Sequence, residues 1–233
     1  MPIDVPSIFN LDRFLLTFLL AAVPALILLL YFYRQDRRKP EPGRMILYSL
    51  FLGVLSTVPA LVAGFIADPL FRMFSYPVYI FLTAFVTSAL IEESSKLFVV
   101  FRFLVPKKDF DEVADGIVYT IGASMGFAIL ENILYSVDNP LSLMLLRGFT
   151  AVPLHAIASG IMGYYIGRSK FEHPSIRFKG LFFAVLVHGT YNFLLFTASI
   201  YSLLIIPLLI YSWKRLKKLA SLALLEDRFF GRS

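Results

Sequence analysis

The stretch FLLTFLLAAVPALILLLYFY occupies residues 14–33, contains no charged side chain and is followed directly by Arg34. A helix needs about 20 predominantly apolar residues to cross the hydrocarbon core of a bilayer. The stretch therefore predicts a membrane-spanning helix that ends at a basic segment. No basic region precedes it, which is atypical of a cleaved signal peptide.

The composition of the whole chain indicates the same class of protein. Of 233 residues, 58% are hydrophobic and 16% are charged, and the mean hydropathy is +0.74. Soluble chains have about 45–50% apolar and about 25% charged residues, so an ordinary soluble domain and a disordered chain are both excluded. The absence of cysteine excludes disulfides and thiolate chemistry. We expect an all-α, polytopic membrane helix bundle.

Six further apolar stretches follow the first one. The seven predicted spans cover residues 14–33, 46–66, 77–105, 113–137, 141–167, 180–198 and 200–213. The last two are divided by a turn predicted near residues 197–202, because basic residues flank both ends of the long apolar run. We expect residues 1–213 to form one transmembrane domain and residues 214–233 to form a basic amphipathic tail on the cytoplasmic surface.

In this seven-span layout, 18 of the 22 basic residues lie on one side of the membrane. These residues are Arg34, Arg37, Arg38, Lys39, Arg44, Arg102, Lys107, Lys108, Arg168, Lys170, Arg177, Lys179, Lys214, Arg215, Lys217, Lys218, Arg228 and Arg232. The positive-inside rule then predicts an outer N-terminus and a cytoplasmic C-terminus. Because the basic residues lie in short juxtamembrane segments, they indicate topology rather than nucleic-acid binding.

Carboxylates and a lysine lie within two of the apolar spans. The third span contains Glu92, Glu93 and Lys96, and the fourth contains the lone carboxylate Glu131. Glu92 and Lys96 are four residues apart, so they share a helix face and can pair. Ionisable residues inside a membrane are costly, and they are functional candidates by default.

The fifth and sixth spans each carry a histidine followed four residues later by a polar side chain. His155 precedes Ser159 in this way, and His188 precedes Asn192. At about 1.5 Å per residue, Glu92 and both histidines lie near the middle of their spans. Polar groups at compatible depths in four consecutive helices predict a single site.

Two histidines and a carboxylate are a common zinc ligand set that leaves one position for water. Bound zinc lowers the pKa of that water, and a further glutamate can act as general base. Asn192 is suited to hold an oxyanion, and Lys96 is suited to keep the glutamate pair ionised. A serine mechanism is less well supported by the residues available.

Four motifs in this order resemble the PrsW family of intramembrane proteases. They are Glu92-Glu93-x-x-Lys96, Phe127-x-x-x-Glu131, His155-x-x-x-Ser159 and His188-x-x-x-Asn192, and the resemblance covers roughly residues 40–200. The related CAAX prenyl endopeptidases have a histidine where this chain has Glu131. The resemblance implies a metal-dependent endopeptidase of the bacterial cell membrane. It also implies that the enzyme makes the first cut in a membrane-bound anti-sigma factor during a stress response.

The resemblance assigns catalytic positions to Glu92, Glu93 and His188, and Asn192 completes the last motif. The expected supporting residues are Lys96, Phe127 and Ser159.

Our physical interpretation assigns a metal, expected to be zinc, to Glu131, His155 and His188. Glu92 or Glu93 is then the base. A metal-free mechanism, in which Glu92 activates water and the histidines orient it, uses the same residues.

Three alternatives share these residues. The first is a proton-coupled transporter or channel in which glutamate and histidine relay protons. The second is a membrane hydrolase that acts on a lipid or a prenylated peptide, and the third is a non-catalytic immunity or scaffold protein. The expected partners are the lipid bilayer and a membrane-bound protein substrate, without nucleic acid.

Overall fold

The computed structural model describes residues 11–35, 39–137 and 139–231. The basic residues Arg37, Arg38 and Arg232, which contribute to the predicted orientation, lie outside this part of the chain. Every regular element within it is helical, which confirms the predicted all-α fold.

Within the described residues, nine α-helices follow one another. They are α1 (Leu11–Tyr33), α2 (Gly43–Phe71), α3 (Tyr76–Leu82), α4 (Glu92–Val99), α5 (Val113–Tyr135), α6 (Leu141–Phe149), α7 (Ala151–Phe171), α8 (Ile176–Phe196) and α9 (Ile205–Phe229). Two π-helical stretches flank α4, at Thr83–Ile91 and Val100–Leu104, and a 3₁₀ turn at Ile200–Leu204 precedes α9.

Five helical segments of the described chain are long and apolar enough to cross a membrane. They are Asp12–Tyr33, Gly43–Phe71, Val113–Tyr135, Leu141–Phe171 and Ile176–Phe196. Residues 76–104 are also helical throughout and would extend about 44 Å at ~1.5 Å per residue. The chain is thus an integral membrane protein, and the count of seven spans and the orientation of the termini stay predictions.

Helix α5 lies at the centre of the bundle and is buried over most of its length. Close backbone contacts hold it on two sides. A Cβ atom built at Gly163 of α7 would lie 2.4 Å from the carbonyl oxygen of Gly116 in α5. A Cβ atom at Gly126 of α5 would lie 2.0 Å from the carbonyl oxygen of Leu50 in α2. Small residues at these positions therefore let the helices approach closely, as is common in membranes.

The outer helices present apolar side chains to the surroundings. Phe65 of α2 is 86% exposed, and Ile27 of α1 and Phe182 of α8 are exposed as well. Large exposed apolar surfaces are unfavourable in water, whereas lipid tails solvate them. The pattern matches an integral protein of the cell membrane.

A break between the last two helices lies at the turn predicted near residues 197–202. Helix α8 ends at Phe196, and Ala198 has a left-handed backbone with φ 46°. Helix α9 then runs without interruption to Phe229, so the predicted boundary at residue 213 falls inside it. Its Leu216 and Ala223 are buried in the same core cluster as residues of α5 and α7.

Candidate active site

The first motif, Glu92-Glu93-x-x-Lys96, directly follows a π-helical stretch and lies inside the bundle. Thr83–Ile91 is π-helical, and α4 begins directly after it with Glu92 and Glu93. Such stretches are rare and occur frequently at functional sites. Glu93 and Lys96 are 0% exposed and Glu92 is 8% exposed, so the whole motif faces inward.

Lys96 connects the first motif to α5 and α7. Its Nζ donates to Glu93 Oε1 at 2.8 Å and lies 3.0 Å from His155 Nδ1. The ammonium also lies 4.2 Å from the centroid of the Phe127 ring. The predicted pair with Glu92 is the longer contact, at 4.0 Å. Lys96 therefore holds Glu93 first and Glu92 only second.

Both oxygens of Glu93 have fixed partners. Oε1 lies 2.9 Å from His188 Nδ1 and also accepts from Lys96. Oε2 accepts a hydrogen bond from Ser159 Oγ at 2.8 Å. A fully buried carboxylate with this many partners is suited to orient His188 rather than to take up a proton.

Glu92 has different surroundings from Glu93. Its buried Oε2 has no hydrogen-bond partner and lies 3.9 Å from His188 Nε2. The Nδ1–H of His188 donates to the Glu93 carboxylate, so Nε2 keeps its lone pair directed toward Glu92. The two atoms are too far apart for a direct hydrogen bond, and a single bridging water suits this separation.

Glu131 belongs to a second ion-pair network. Its Oε2 accepts from Arg147 Nη2 at 2.8 Å and lies 2.9 Å from His155 Nε2. Arg147 Nε also donates to Asn132 Oδ1 at 2.5 Å. Because the Lys96 ammonium can only donate, His155 Nδ1 is the acceptor, and its Nε2–H donates to Glu131.

Sequence reasoning missed the role of Arg147. It had no place in the predicted site, whereas the structure places its guanidinium on Glu131 and over the ring of Tyr135, 4.0 Å from the centroid. The signal was an arginine within an apolar segment, which by itself marks a functional candidate. Its partner could not be read from spacing, because the two residues lie on different helices.

Two cavities adjoin these groups. One of about 470 Å³ is lined by Glu92, Phe127 and Glu131 together with residues of α2. The other, of about 230 Å³, is lined by His155 and His188 and also by Arg147, Thr150 and Asn192. The predicted residue Asn192 is thus placed on the same cavity wall as both histidines.

One further serine pattern lies nearby. Gly122–Gly126 reads Gly-x-Ser-x-Gly, but it lies within the uninterrupted α5, and Ser124 Oγ donates to the carbonyl oxygen of His155 at 2.8 Å. A nucleophilic serine of this motif requires a strand–turn–helix. Ser124 therefore has a packing role here.

The comparison with known proteins agrees with this geometry. The sequence model described as PrsW family intramembrane metalloprotease matches residues 41–212. The chain belongs to the PrsW family.

Curated relatives named Protease PrsW cover most of the chain. The Bacillus subtilis protein is 33% identical over 211 residues, which is 87% of this chain and 95% of the relative. The Oceanobacillus iheyensis protein is 38% identical over 194 residues, which is 82% of this chain and 87% of the relative. The Clostridioides difficile protein is 32% identical over 209 residues, covering 84% and 87% of the two chains. No solved structure matches.

Membership of the PrsW family makes the protein a membrane-embedded peptidase, and the family is described as metalloprotease. In the described residues, ligand atoms of Glu92, His155 and His188 all lie within 4.8 Å of one another. Glu92 Oε2 has no hydrogen-bond partner, and His188 Nε2 has a free lone pair. His155 Nε2 would exchange its hydrogen bond to Glu131 for the metal. The group can therefore hold a metal, and Glu131 of the predicted ligand set is not part of it.

Proposed function

We propose that this protein is an intramembrane endopeptidase that makes the first cut in a single-span anti-sigma factor. The observation that carries the proposal is the unpartnered Glu92 Oε2, which faces His188 Nε2 at the wall of a cavity. PrsW proteases act on membrane substrates, and this pair lies inside the bundle, where a substrate helix would have to be cut.

Glu92 is the general base in this proposal. It removes a proton from water as the water oxygen adds to the carbonyl carbon of the substrate. The carbon–nitrogen bond then breaks, and the proton passes to the departing amine, so that one water is consumed for each bond cut. The Nε2 lone pair of His188 orients the same water by accepting its second proton in a hydrogen bond.

The remaining residues hold this pair in place. Glu93 fixes the ring of His188 through Nδ1, and Lys96 and Ser159 fix Glu93 in turn. Asn192 lines the cavity next to His188, where its amide can donate to the oxygen that becomes negative during the reaction.

A metal fits the same residues. We propose that Glu92, His155 and His188 hold zinc, with His155 binding through the Nε2 atom that it would release from Glu131. Bound zinc would polarise the substrate carbonyl and lower the pKa of water. With zinc bound, Glu92 and His188 would be metal ligands, so their roles as base and as acceptor for water, given above, belong to the metal-free enzyme.

The cleavage test uses two histidine variants that differ in position. His188→Ala should abolish cleavage of a single-span anti-sigma factor of the host bacterium in lipid vesicles. His173→Ala removes an exposed histidine that contacts Ser175 and should leave the cleavage rate unchanged. Cleavage that survives His188→Ala would contradict the place of His188 in the site. Wild-type protein that cleaves nothing but dissipates a pH gradient across vesicles would refute the protease and favour a proton relay.

The metal test compares two glutamate variants by elemental analysis of purified protein. Glu92→Gln should lose zinc, whereas Glu131→Gln should keep it because Glu131 lies outside the proposed ligand set. If Glu131→Gln lost zinc and Glu92→Gln kept it, the ligands would be Glu131, His155 and His188, as the sequence predicted. Wild-type protein that cleaves its substrate without stoichiometric metal would refute zinc and leave Glu92 as the base of a metal-free enzyme.

A further inference from the structure

The larger cavity lies between α2 and the end of α5. Its α2 wall is made by Thr57, Ala60, Leu61, Gly64 and Phe65. The α5 side contributes the apolar Phe127 and Leu134, and the carboxylates of Glu92 and Glu131 also line it. An apolar cavity that has only a few polar groups is the usual form of a ligand pocket.

The way α2 packs on α5 creates this space. A Cβ atom added at Gly53 of α2 would lie 1.8 Å from the carbonyl oxygen of Ala123, so the two helices touch there through their backbones. Three turns further along α2, a Cβ atom at Gly64 would meet no atom within 4 Å. The helices thus separate toward the end of α2, and the gap contains about 470 Å³.

The two cavities meet at the reacting groups. Both are lined by Ser88, Glu131 and Tyr135, whereas Glu92 belongs to the first cavity and His188 to the second. Glu92 and His188 are 3.9 Å apart, so an extended peptide that enters both cavities would have one member of this pair on each side. Residues on the two sides of the cut bond would then enter different cavities.

The two cavities differ in size and chemistry. The first holds about 470 Å³ and has an apolar α2 wall, whereas the second holds about 230 Å³ and is lined by Arg147, Thr150 and Asn192. A large apolar side chain fits the first, and a smaller or polar one fits the second.

We propose that the cavity between α2 and α5 binds a large apolar side chain of the substrate, on one side of the bond that is cut. Gly64 and Ala60 determine how large that side chain can be. The proposal rests on the proposed protease function and adds the class of residue that the enzyme selects.

The absence of cysteine from the chain allows a direct test of pocket size. Gly64→Cys is labelled with a methyl or a benzyl methanethiosulfonate, and cleavage of the anti-sigma factor is measured. The benzyl adduct should lower the rate at least about tenfold, the methyl adduct should lower it less, and a reductant should restore it. Ala60→Cys repeats the test if Gly64→Cys does not fold.

Gly43→Cys is the matched control. Gly43 begins the same helix, its added Cβ also meets no atom within 4 Å, and it does not line the cavity. The benzyl adduct at this position should leave the rate unchanged. If both benzyl adducts slow cleavage equally, or neither does, the pocket assignment is wrong.

A cross-linking test separates the pocket from the protease activity. A synthetic single-span peptide of about 20 leucine and alanine residues carries one cysteine at successive positions and is oxidised with Gly64→Cys protein in vesicles. A disulfide requires Cβ atoms about 3.5–4.5 Å apart, so cross-links should form only over a short window of the peptide, and none should form with Gly43→Cys.

The combined outcomes distinguish the two proposals. A defined cross-linking window in a protein that cleaves no substrate would refute the protease function and keep the pocket. Cleavage that the benzyl adduct does not affect, together with cross-links along the whole peptide, would refute the pocket and keep the function. The second pattern would identify Gly64 as part of a surface that faces lipid.

Discussion

The active site and the N-terminal end of α5 both bury several ionisable side chains, but different partners surround them. The second group, which we call the capping cluster, consists of Glu41, Glu112, Asp115 and Asp227. All four are buried to nine-tenths or more. Burial of a carboxylate inside this bundle is therefore not enough to indicate catalysis.

The capping cluster binds mainly to the backbone. Asp115 Oδ2 accepts from the amides of Asp111 and Glu112 at 2.6 and 2.7 Å. Asp227 of α9 accepts from the amides of Val113 and Ala114 at 2.8 and 3.0 Å. These amides have no partner within the helix, and negative charge is favourable at this end.

The active site instead binds its charges through side chains, and one oxygen stays unpartnered beside a cavity. Glu92 Oε2 has no hydrogen bond, whereas Glu93 Oε2 accepts from Ser159. The capping cluster also has an oxygen without a hydrogen-bond partner, Asp115 Oδ1, but its carboxylates mainly hold backbone amides, whereas Glu92 lines a cavity that a substrate could enter. We therefore expect substitutions in the active site to lower the cleavage rate more than the stability. Substitutions in the capping cluster should lower the stability and leave the cleavage rate unchanged.

The largest expected effect is on activity at Glu92. Glu92→Gln keeps the shape of the side chain but removes the base, so the cleavage rate should fall by about 10²–10⁴-fold. The free energy of unfolding in denaturant should decrease little, since Glu92 Oε2 has no hydrogen bond and its ion pair with Lys96 is 4.0 Å long. Glu172→Gln, at the exposed end of α7, should change neither quantity.

The same experiment on the neighbouring residue tests the division of roles. Glu93→Gln should lower both the cleavage rate and the free energy of unfolding, because Lys96 and His188 would lose a charged partner. If Glu93→Gln is stable and inactive while Glu92→Gln stays active, Glu93 is the base.

The second effect is on stability at Asp227. Asp227→Ala leaves two amides at the start of α5 without the carboxylate, so the free energy of unfolding should fall by about 1–3 kcal/mol. The cleavage rate per folded molecule should stay the same, because Asp227 lies at the far end of α5 from Glu131. Denaturant unfolding in detergent and the specific activity measure the two quantities.

Asp227→Asn provides the control for this prediction. Its amide oxygen can still accept one of the two hydrogen bonds, so its loss of stability should be intermediate. If either variant had a lower cleavage rate per folded molecule than the wild type, α9 would act on the active site.

The sequence predicted the helical fold and the residues that meet, because both depend on patterns within single helices. Apolar stretches give the helices, and spacing of four residues places His188 with Asn192 on one face. The predicted turn near residues 197–202 was found because basic residues flank both ends of the apolar run. These signals lie within one stretch of sequence and do not depend on how the helices pack.

The contacts between helices could not be predicted in the same way. Spacing favoured a Glu92–Lys96 pair, but residues three apart on a helix are neighbours as well, and Glu93 is the closer partner of Lys96. The links from Arg147 to Glu131 and from Asp227 to α5 join residues far apart in sequence. Such pairs depend on how helices rotate and pack, which a single sequence does not state.

The last expected effect is a pH dependence of stability in the capping cluster. Burial and the neighbouring Asp115 raise the pKa of Glu41 from 4.5 to about 11. Tyr119 donates a hydrogen bond to Glu41 Oε2, and a protonated Glu41 can itself donate to Asp115, whose Oδ1 has no other hydrogen-bond partner. Glu41 is therefore a neutral acid in the folded protein.

The sign of the effect follows from the two pKa values. Above about pH 4.5 the unfolded chain releases the proton of Glu41, whereas the folded chain keeps it up to about pH 11. Stability from this group is complete below the lower value and declines as the pH rises, by at most about 1.4 kcal/mol per pH unit. Glu41→Gln carries a permanent neutral donor, so its stability should decline less steeply with pH.

Unfolding of wild type and Glu41→Gln in detergent, from about pH 5 to about pH 9, measures the two slopes. The variant should match the wild type at the acid end and exceed it at the alkaline end, with an unchanged cleavage rate per folded molecule. Parallel slopes would mean that Glu41 is ionised in the folded state. Glu41 would then be a buried charge beside Asp115, and the contrast between the two regions would be lost.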